Sequence, residues 1–166
     1  MARSGRPLKV ASELEFLANY IKKNDSKSVK MLTDTHGIDC YDSYKRTFLI
    51  LAASEGNENI MNFLIKKGAD INFQDKNGYS ALHFAALNNK NRIAEILLKN
   101  GANPNLKDLY GNSPIWTAIM NVKEDFSIVK LLLENNADIE TKNNHRKSPQ
   151  ELWNMMYRNE IESLLK

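Results

Sequence analysis

Histidines are the first side chains to weigh for catalytic chemistry, because imidazole can act as a general base or bind a metal near neutral pH. The chain has three, at positions 36, 83 and 145. None forms the i, i+4 pair that places two metal ligands on one helix face. General-base catalysis by His83 would need a nucleophile and a cleft, and no motif in the sequence supplies either. We therefore predict no metal site and no catalytic histidine.

Paired acids and a single cysteine are the remaining candidates for chemistry. Acids lie close together in three places, at Glu13/Glu15, Glu124/Asp125 and Asp138/Glu140. No concave pocket is implied around them, so solvated surface acids are favoured over an acid–base pair. Cys40 has no second cysteine to pair with, and we expect a small, partly buried residue and not a reactive thiol. No glycine-rich phosphate loop occurs, and we predict no cofactor and no catalytic residue.

The distribution of charge restricts the classes of partner. The chain is 42% hydrophobic and 26% charged, which is typical of a globular protein. Its net charge of +3 comes from Arg3, Arg6 and Lys9, and from residue 11 onward 20 basic residues (23 − 3) balance 20 acidic ones. Nucleic-acid binders carry clustered positive charge. This balance therefore argues against nucleic acid as a partner.

Apolar runs in the sequence are short. The longest covers residues 48–53, whereas a membrane span needs roughly 20 apolar residues. No signal-peptide pattern follows the first arginines. We expect no membrane association and, since there is one cysteine, a cytoplasmic protein in a reducing compartment. Residues 1–10 are small, basic and polar, and we expect them to form a disordered tail.

An internal repeat organises the remainder of the chain. The segment GADINFQDKNGYSALHFAA begins at Gly68, and related segments begin 33 residues before it, 33 after it, and 35 further on. One column of this repeat holds Asp42, Asp75, Asp108 and Asn143. Another column holds Thr47, Ser80, Ser113 and Ser148. Self-similarity at a fixed period of this length predicts a repeat architecture.

The period and the tetrads TFLI, SALH, SPIW and SPQE resemble the ankyrin-repeat family. The SALH copy, Ser80 to His83, is closest to the family form, whereas Lys45 and Arg146 stand where the pattern has glycine. The resemblance covers about residues 13–166. It implies an all-α solenoid of about five helix-turn-helix units with short hairpin-like turns. We expect one domain, residues 11–166, with units at about 11–41, 42–74, 75–107, 108–142 and 143–166.

Local signals place the helix ends within these units. Ser113-Pro114 and Ser148-Pro149 are predicted helix N-termini, because a serine oxygen can accept an unpaired backbone N–H and proline has none to satisfy. Gly68 and Gly101 are predicted at helix C-termini. His83 occupies the histidine place of the tetrad, and we expect it to tie its turn to the next unit by hydrogen bonds.

The resemblance also implies where a partner would bind. Members of the family commonly bind proteins on the concave side, which the turn tips and inner helices form. These columns hold many aromatic and apolar groups here, and interfaces favour such side chains. The predicted partner-binding residues are Tyr44, Arg46, Glu55, Lys76, Asn77, Tyr79, Leu87, Asn88, Leu109, Tyr110, Asn112, Trp116, Met120, Asn121 and His145. The strip is expected to centre on Tyr79, Tyr110, Trp116 and Met120.

Two features leave alternatives open. Trp116 stands where the family has histidine, and it either packs at the junction with the last unit or serves as a partner hot spot. The fourth unit is two residues longer than the third, with the extra length around residues 122–126. Loops tolerate such changes, so neutral drift explains the length as well as function does. We expect Phe126 to tuck back against the outer helix of its own unit.

The main functional prediction is a non-catalytic module that binds a protein partner and is a monomer alone. The chain resembles small stand-alone ankyrin proteins of bacteria, several of which are immunity proteins that block a cognate toxin. A toxin domain is therefore one candidate partner. A regulatory inhibitor, an adaptor, and a virulence or viral factor that binds a host protein are the alternatives. An enzyme is a remote alternative, and a nucleic-acid binder is another.

Overall fold

The computed structural model describes residues 12–122, 124–158, 161 and 164. The predicted basic tail, residues 1–10, lies outside the described residues. Within the described part, the regular structure is helical, and extended backbone pairs only in an isolated antiparallel bridge between Tyr41 and Thr47. A short 3-10 helix, Ser12–Phe16, precedes the first α-helix. The prediction of an all-α repeat solenoid is confirmed.

The α-helices occur in pairs along the chain. Their bounds are α1 Leu17–Lys22, α2 Ser26–His36, α3 Phe48–Glu55, α4 Glu58–Lys66, α5 Ala81–Leu87, α6 Asn91–Lys99, α7 Pro114–Asn121, α8 Ser127–Glu134 and α9 Pro149–Tyr157. The first helix of each pair packs against the first helix of the next, so α1, α3, α5, α7 and α9 form one continuous inner stack. The second helices α2, α4, α6 and α8 each pack on the inner helix of their own unit.

The core runs between these two layers and along the inner stack. Residues 48–53 of α3 are all buried, because α3 is covered by α1, α4 and α5. At the equivalent place in the next helix, Ala85 and Ala86 are fully buried, and their small side chains allow neighbouring helices to approach closely. No unit could bury its apolar side alone, so each depends on its neighbours for stability.

Serine and threonine side chains begin most of the inner helices. The Thr47, Ser80 and Ser148 hydroxyls each accept a backbone N–H of the first helical turn, as predicted for Ser148. The prediction for Ser113 is wrong in this detail, since α7 begins at Pro114 without a side-chain cap bond. A reciprocal capping box needs an acceptor three residues into the helix. His83 and Glu151 supply that acceptor, but the indole of Trp116 offers only a donor.

Glycine ends two of the outer helices. Gly68 and Gly101 directly follow the C-cap residues of α4 and α6 and have φ angles of +84° and +89°. The left-handed region is favourable for glycine, so these residues close the helices as predicted. Asn136, with φ of +63°, ends α8 at the corresponding place.

The extra length of the fourth unit places Phe126 against the last unit. The Phe126 ring contacts the Trp153 and Tyr157 rings of α9, with centroids 5.0 and 5.2 Å away. The expectation that Phe126 packs back on its own outer helix is therefore corrected. The Tyr157 hydroxyl donates towards the carbonyls of Ile119 and Val122, both at 3.2 Å. This loop thus anchors the terminal helix.

Candidate partner-binding surface

Buried aspartates shape the turn at the start of each unit. The Asp75 Oδ1 atom accepts the backbone N–H groups of Asn77 and Tyr79 at 2.8 and 2.9 Å. Asp42, Asp108 and Asn143 make the same pair of bonds in their own turns. All four side chains are buried. This repeated column is therefore structural, and its carboxylates are occupied by the backbone and not placed for acid–base chemistry.

Backbone hydrogen bonds join successive turns into a row. The N–H of Lys76 donates to the Tyr44 carbonyl at 3.0 Å, and that of Leu109 donates to the Asn77 carbonyl at 3.0 Å. The N–H of Asn144 repeats the bond to the Tyr110 carbonyl at 2.9 Å. We call residues 43–46, 76–79, 109–112 and 144–147 the turn-tip row. Because the turns are bonded to one another, the side chains of the row are presented on a preorganised backbone.

His83 links two units, as predicted. Its Nδ1 atom lies 3.1 Å from the Ser80 backbone nitrogen and 2.9 Å from the Ser80 hydroxyl. Its Nε2 atom lies 3.2 Å from the Asn112 carbonyl in the next turn. The Ser80 backbone N–H requires an acceptor at Nδ1, so the neutral tautomer with its proton on Nε2 satisfies both ends. The imidazole is fully buried and has no access to a substrate.

His83 should also make the stability of the fold sensitive to pH. Burial lowers the pKa of the His83 imidazole below 6.5, so the unfolded chain takes up this proton more readily than the folded chain. Its contribution to stability is therefore complete above pH 6.5 and is lost as the pH falls below that value. We expect the Tm to fall between about pH 7 and pH 5. The His83→Gln variant, which keeps a capping acceptor, should show a smaller fall; an equal fall would assign the pH dependence to other groups.

Several predicted binding residues are strongly exposed. The exposed fractions are 62% for Tyr44, 65% for Leu109, 61% for Tyr110 and 51% for Met120. Lys76, Asn77 and His145 are exposed on the same row. The sequence analysis missed Met155, which is 74% exposed on α9. A shift of 35 residues aligns Met155 with Met120, so the alignment of the repeats was sufficient to identify Met155 as a candidate binding residue.

Tyr79 and Trp116 are more enclosed than the other members of the predicted strip. The Tyr79 ring is half-buried, stacks on His83 at 5.2 Å and meets Phe84 edge-on at 5.6 Å. Burial also raises the pKa of the Tyr79 hydroxyl. Trp116 is half-buried at the junction of α7 and α9, where it lines a groove with Leu152 and Met155. Tyr79 therefore packs on the inner helix of its own unit and Trp116 packs at the junction with the last unit, while both rings remain partly exposed.

Two polar members of the predicted set, Arg46 and Asn112, already form hydrogen bonds with residues that adjoin the row. Arg46 contacts the Asp42 carboxylate through Nε at 2.9 Å and Nη2 at 2.6 Å, and its guanidinium lies over the Tyr44 ring. The Asn112 side-chain oxygen accepts from the Asn143 amide at 2.8 Å. These residues therefore hold the row in place, and Tyr44 is oriented by its arginine neighbour.

The remaining predicted residues lie at the other end of the inner helices. Glu55, Leu87, Asn88 and Asn121 are at or next to the C-terminal ends of α3, α5 and α7. Helices of seven or eight residues are about 12 Å long, so these residues are separated from the turn tips. Glu55 also forms an ion pair with Lys22 at 3.7 Å. The structure thus divides the predicted set into a turn-tip group and a helix-end group.

The groups considered for chemistry have surroundings unlike those of a reactive site. Cys40 is buried, and burial raises the pKa of its thiol to about 11, so little thiolate forms near neutral pH. Among the described residues, no group of three or more histidine, cysteine, aspartate or glutamate side chains is arranged to hold a metal ion. No helix in the described ranges is long and apolar enough to cross a membrane.

Comparison with known proteins agrees with this architecture. A family model described as ankyrin repeats (3 copies) matches residues 14–108 and 67–143, which together cover more than half of the chain. M-phase phosphoprotein 8 from Homo sapiens is 36% identical over 73 residues, which are 42% of this chain and 8% of that protein. Transient receptor potential cation channel subfamily A member 1 from Homo sapiens is 35% identical over 77 residues, 46% of this chain and 7% of that protein.

The matched segments are therefore a small part of these much longer relatives. Repeats of this kind are protein–protein interaction modules. The family match, the paired helices and the hydrogen-bonded turns together show that the chain belongs to the ankyrin-repeat family.

Proposed function

We propose that this chain is a non-catalytic module that captures one protein partner on the turn-tip row and the adjoining face of the inner helices. The exposure of Leu109 and Tyr110 side by side at the third turn tip carries this proposal. Backbone bonds and the buried Asp108 already fix that turn, so folding does not require large apolar side chains there. Their exposure is unfavourable in water and becomes favourable when a partner covers them.

The geometry favours binding in a second respect. Tyrosine buries a large area at low entropic cost, and a rigid backbone leaves little ordering to be done on association. Exposed apolar side chains also occur on the neighbouring inner helices, at Met120 of α7 and Met155 of α9, and the half-buried Trp116 lines a groove with Met155. A single partner surface can therefore contact the tips of the turns and the helices behind them.

Among binding roles, inhibition of a single partner, as in an immunity protein that neutralises a toxin domain, is the one we favour. An adaptor or a factor that binds a host protein is the alternative. The exposed side chains of Leu109, Tyr110, Met120 and Met155 lie on two neighbouring units and support a single tight contact, whereas an adaptor needs two separate ones. We place the chain in the cytosol and expect it to be a monomer before it meets its partner.

Co-purification from cells of the source organism tests the binding role. The variant Leu109→Ala/Tyr110→Ala/Met120→Ala removes three exposed side chains and leaves the contacts of Tyr79 with His83 and Phe84 intact. Phe16 and Met31 are exposed to a similar extent but lie on the first unit, so Phe16→Ala/Met31→Ala is a matched control. We expect one stoichiometric partner with the wild type and the control, and its loss in the triple variant.

The identity and behaviour of that partner then separate the finer roles. An inhibitor should suppress the activity or toxicity of its partner when the two are co-expressed, and the triple variant should fail to do so. Two partners that bind at the same time would favour an adaptor. Retention of the partner by the triple variant, with circular dichroism showing an intact fold, would refute the proposed surface.

A further inference from the structure

Charge on the turn-tip row is segregated by sign, although the chain is nearly neutral as a whole. The four tips contain five basic residues, Lys45, Arg46, Lys76, Arg146 and Lys147, and no acidic residue. The acids of these turns are the buried column at Asp42, Asp75 and Asp108. Positive charge is therefore presented to solvent along the row, and negative charge is held beneath it.

Cations on the helices differ from those on the tips in their partners. Lys22, Arg92 and Lys99 each lie within 4 Å of a glutamate on the helical surface. In the part of the chain that the structure describes, no acidic side chain comes that close to Lys76 or to the fourth-tip cations. Several helical cations are thus paired with acids, as Arg46 of the first tip is with Asp42, whereas within the described residues Lys76, Arg146 and Lys147 are not.

The fourth tip is the most strongly basic. In the first and second turns, the buried Asp42 and Asp75 partly offset the charge of the tip. The fourth turn has the neutral Asn143 in that column, and Asn143 makes the same backbone bonds without a charge. Arg146 and Lys147 therefore have no charge beneath them in that column, although Glu151 of α9 lies near Lys147, and the exposed His145 adjoins them.

An apolar tip interrupts the basic row. The third tip carries Leu109, Tyr110 and Asn112 and has no charged side chain. A nucleic acid presents phosphates at regular, closely spaced intervals and would favour continuous positive charge. A protein segment can instead place carboxylates on either side of an apolar side chain. The alternation of basic and apolar tips along the row therefore favours a protein partner over a nucleic acid.

On the basis of the proposed function, we infer that the partner contributes an acidic, extended segment to the turn-tip row. Its carboxylates contact Arg146 and Lys147 at one end and Lys45 and Lys76 at the other, and an apolar side chain between them covers the third tip. Charge-assisted bonds to such cations fix the register of the segment and increase the rate of association.

Selection from a displayed library of random linear peptides on the immobilised full chain tests this inference. We expect the selected peptides to contain aspartate or glutamate on both sides of an apolar residue. A synthetic peptide of the selected consensus should bind more weakly in about 300 mM NaCl than in about 50 mM NaCl, because salt screens exposed charges. The variant Arg146→Glu/Lys147→Glu should weaken its binding about tenfold or more.

Lys66→Glu/Lys67→Glu is the matched control, since it makes the same change in charge at an exposed lysine pair at the end of α4. It should leave peptide binding unchanged. Any of three results would overturn the inference of an acidic segment. These are the selection of peptides without acidic residues, an equal loss of peptide affinity in both variants, and failure to select any peptide. Co-purification of a partner sensitive to the Leu109→Ala/Tyr110→Ala/Met120→Ala variant would still support the binding module in each of those cases. Equal or tighter binding of a mixed-sequence DNA oligonucleotide would overturn the inference in favour of nucleic acid.

Discussion

Substituting alanine for Gly78 is expected to lower the free energy of unfolding by about 3 kcal/mol. Gly78 has a φ angle of +80°, where a residue with a side chain is strained by about 1 to 2 kcal/mol. A Cβ atom at this position would also lie 2.8 Å from the Asp108 Cα atom and 2.9 Å from the Leu109 nitrogen. Those neighbours are backbone of the next turn, so the two turns would have to move apart.

Gly68→Ala separates the two contributions. Gly68 has nearly the same φ angle, +84°, but a Cβ atom there would meet nothing within 4 Å. We therefore expect Gly68→Ala to lower the free energy of unfolding by about 1.5 kcal/mol, from backbone strain alone. Urea unfolding followed by circular dichroism measures both. Equal losses would mean that the turns separate freely, and the turn-tip row would then not be a rigid platform.

Gly111 extends the same test to the next turn. A Cβ atom there would lie 2.9 Å from the Asn144 backbone nitrogen, so close approach of turns recurs along the row. Arg146 stands in the same column of the fourth turn with a φ angle of +61°. Lys45 of the first turn also has a positive φ angle, +62°, although its turn is bonded to a successor. The close approach that a Cβ atom would disturb is therefore a feature of the second and third turns, at Gly78 and Gly111.

The repeat made the fold predictable from sequence, because each column is sampled several times. The aspartate column, the cap at Ser148 and the link from His83 to the next turn all follow from local hydrogen-bonding needs that recur at one spacing. The failures occur where a contact is particular to one unit. Ser113 was predicted to accept a backbone N–H at the start of α7, but it makes no such bond, and the column pattern does not show this difference from Thr47, Ser80 and Ser148.

The binding surface was less predictable, since the position of a residue within the repeat does not determine how exposed its side chain is. Tyr79 and Tyr110 belong to neighbouring turns, yet Tyr79 is half-buried against His83 and Phe84 whereas Tyr110 is mostly exposed. The two tyrosines are also two positions apart within the turn, since Tyr110 aligns with Asn77, and their surroundings therefore differ. Met155 was overlooked because the predicted inner-helix positions were taken from the earlier units, although the last unit also presents its inner helix to solvent.

The contact between Phe126 and α9 gives the second large effect. Phe126→Ala is expected to lower the free energy of unfolding by about 2 to 3 kcal/mol, because it removes a partly buried ring that meets two aromatic neighbours edge-on. Trp153 and Tyr157 are themselves in contact at 4.5 Å, so the three rings form one cluster. Phe16→Ala, at an exposed phenylalanine of the first unit, should change stability little.

Tyr157→Phe isolates the polar part of the same contact. It keeps the ring cluster but removes the hydroxyl that contacts the Ile119 and Val122 carbonyls, and we expect a loss of about 1 kcal/mol. Urea unfolding gives the total change in the free energy of unfolding for each variant. Hydrogen exchange shows which part of the chain loses stability, since backbone amides of α9 should exchange faster in Phe126→Ala while those of α5 remain protected. Uniform acceleration would show that the last unit unfolds only with the whole domain.

This stability prediction extends to binding, because the loop of the fourth unit and the fourth turn tip support opposite ends of the same terminal helix. Met155 lies on α9, and Arg146 and Lys147 lie just before the start of α9 at Pro149. If α9 detaches in Phe126→Ala, the acidic peptide should bind more weakly although no residue of the turn-tip row has changed. Tyr157→Phe should have a smaller effect in the same direction. Unchanged peptide binding in Phe126→Ala, measured where α9 exchanges freely, would place the binding energy on the first three tips and remove the fourth from the proposed surface.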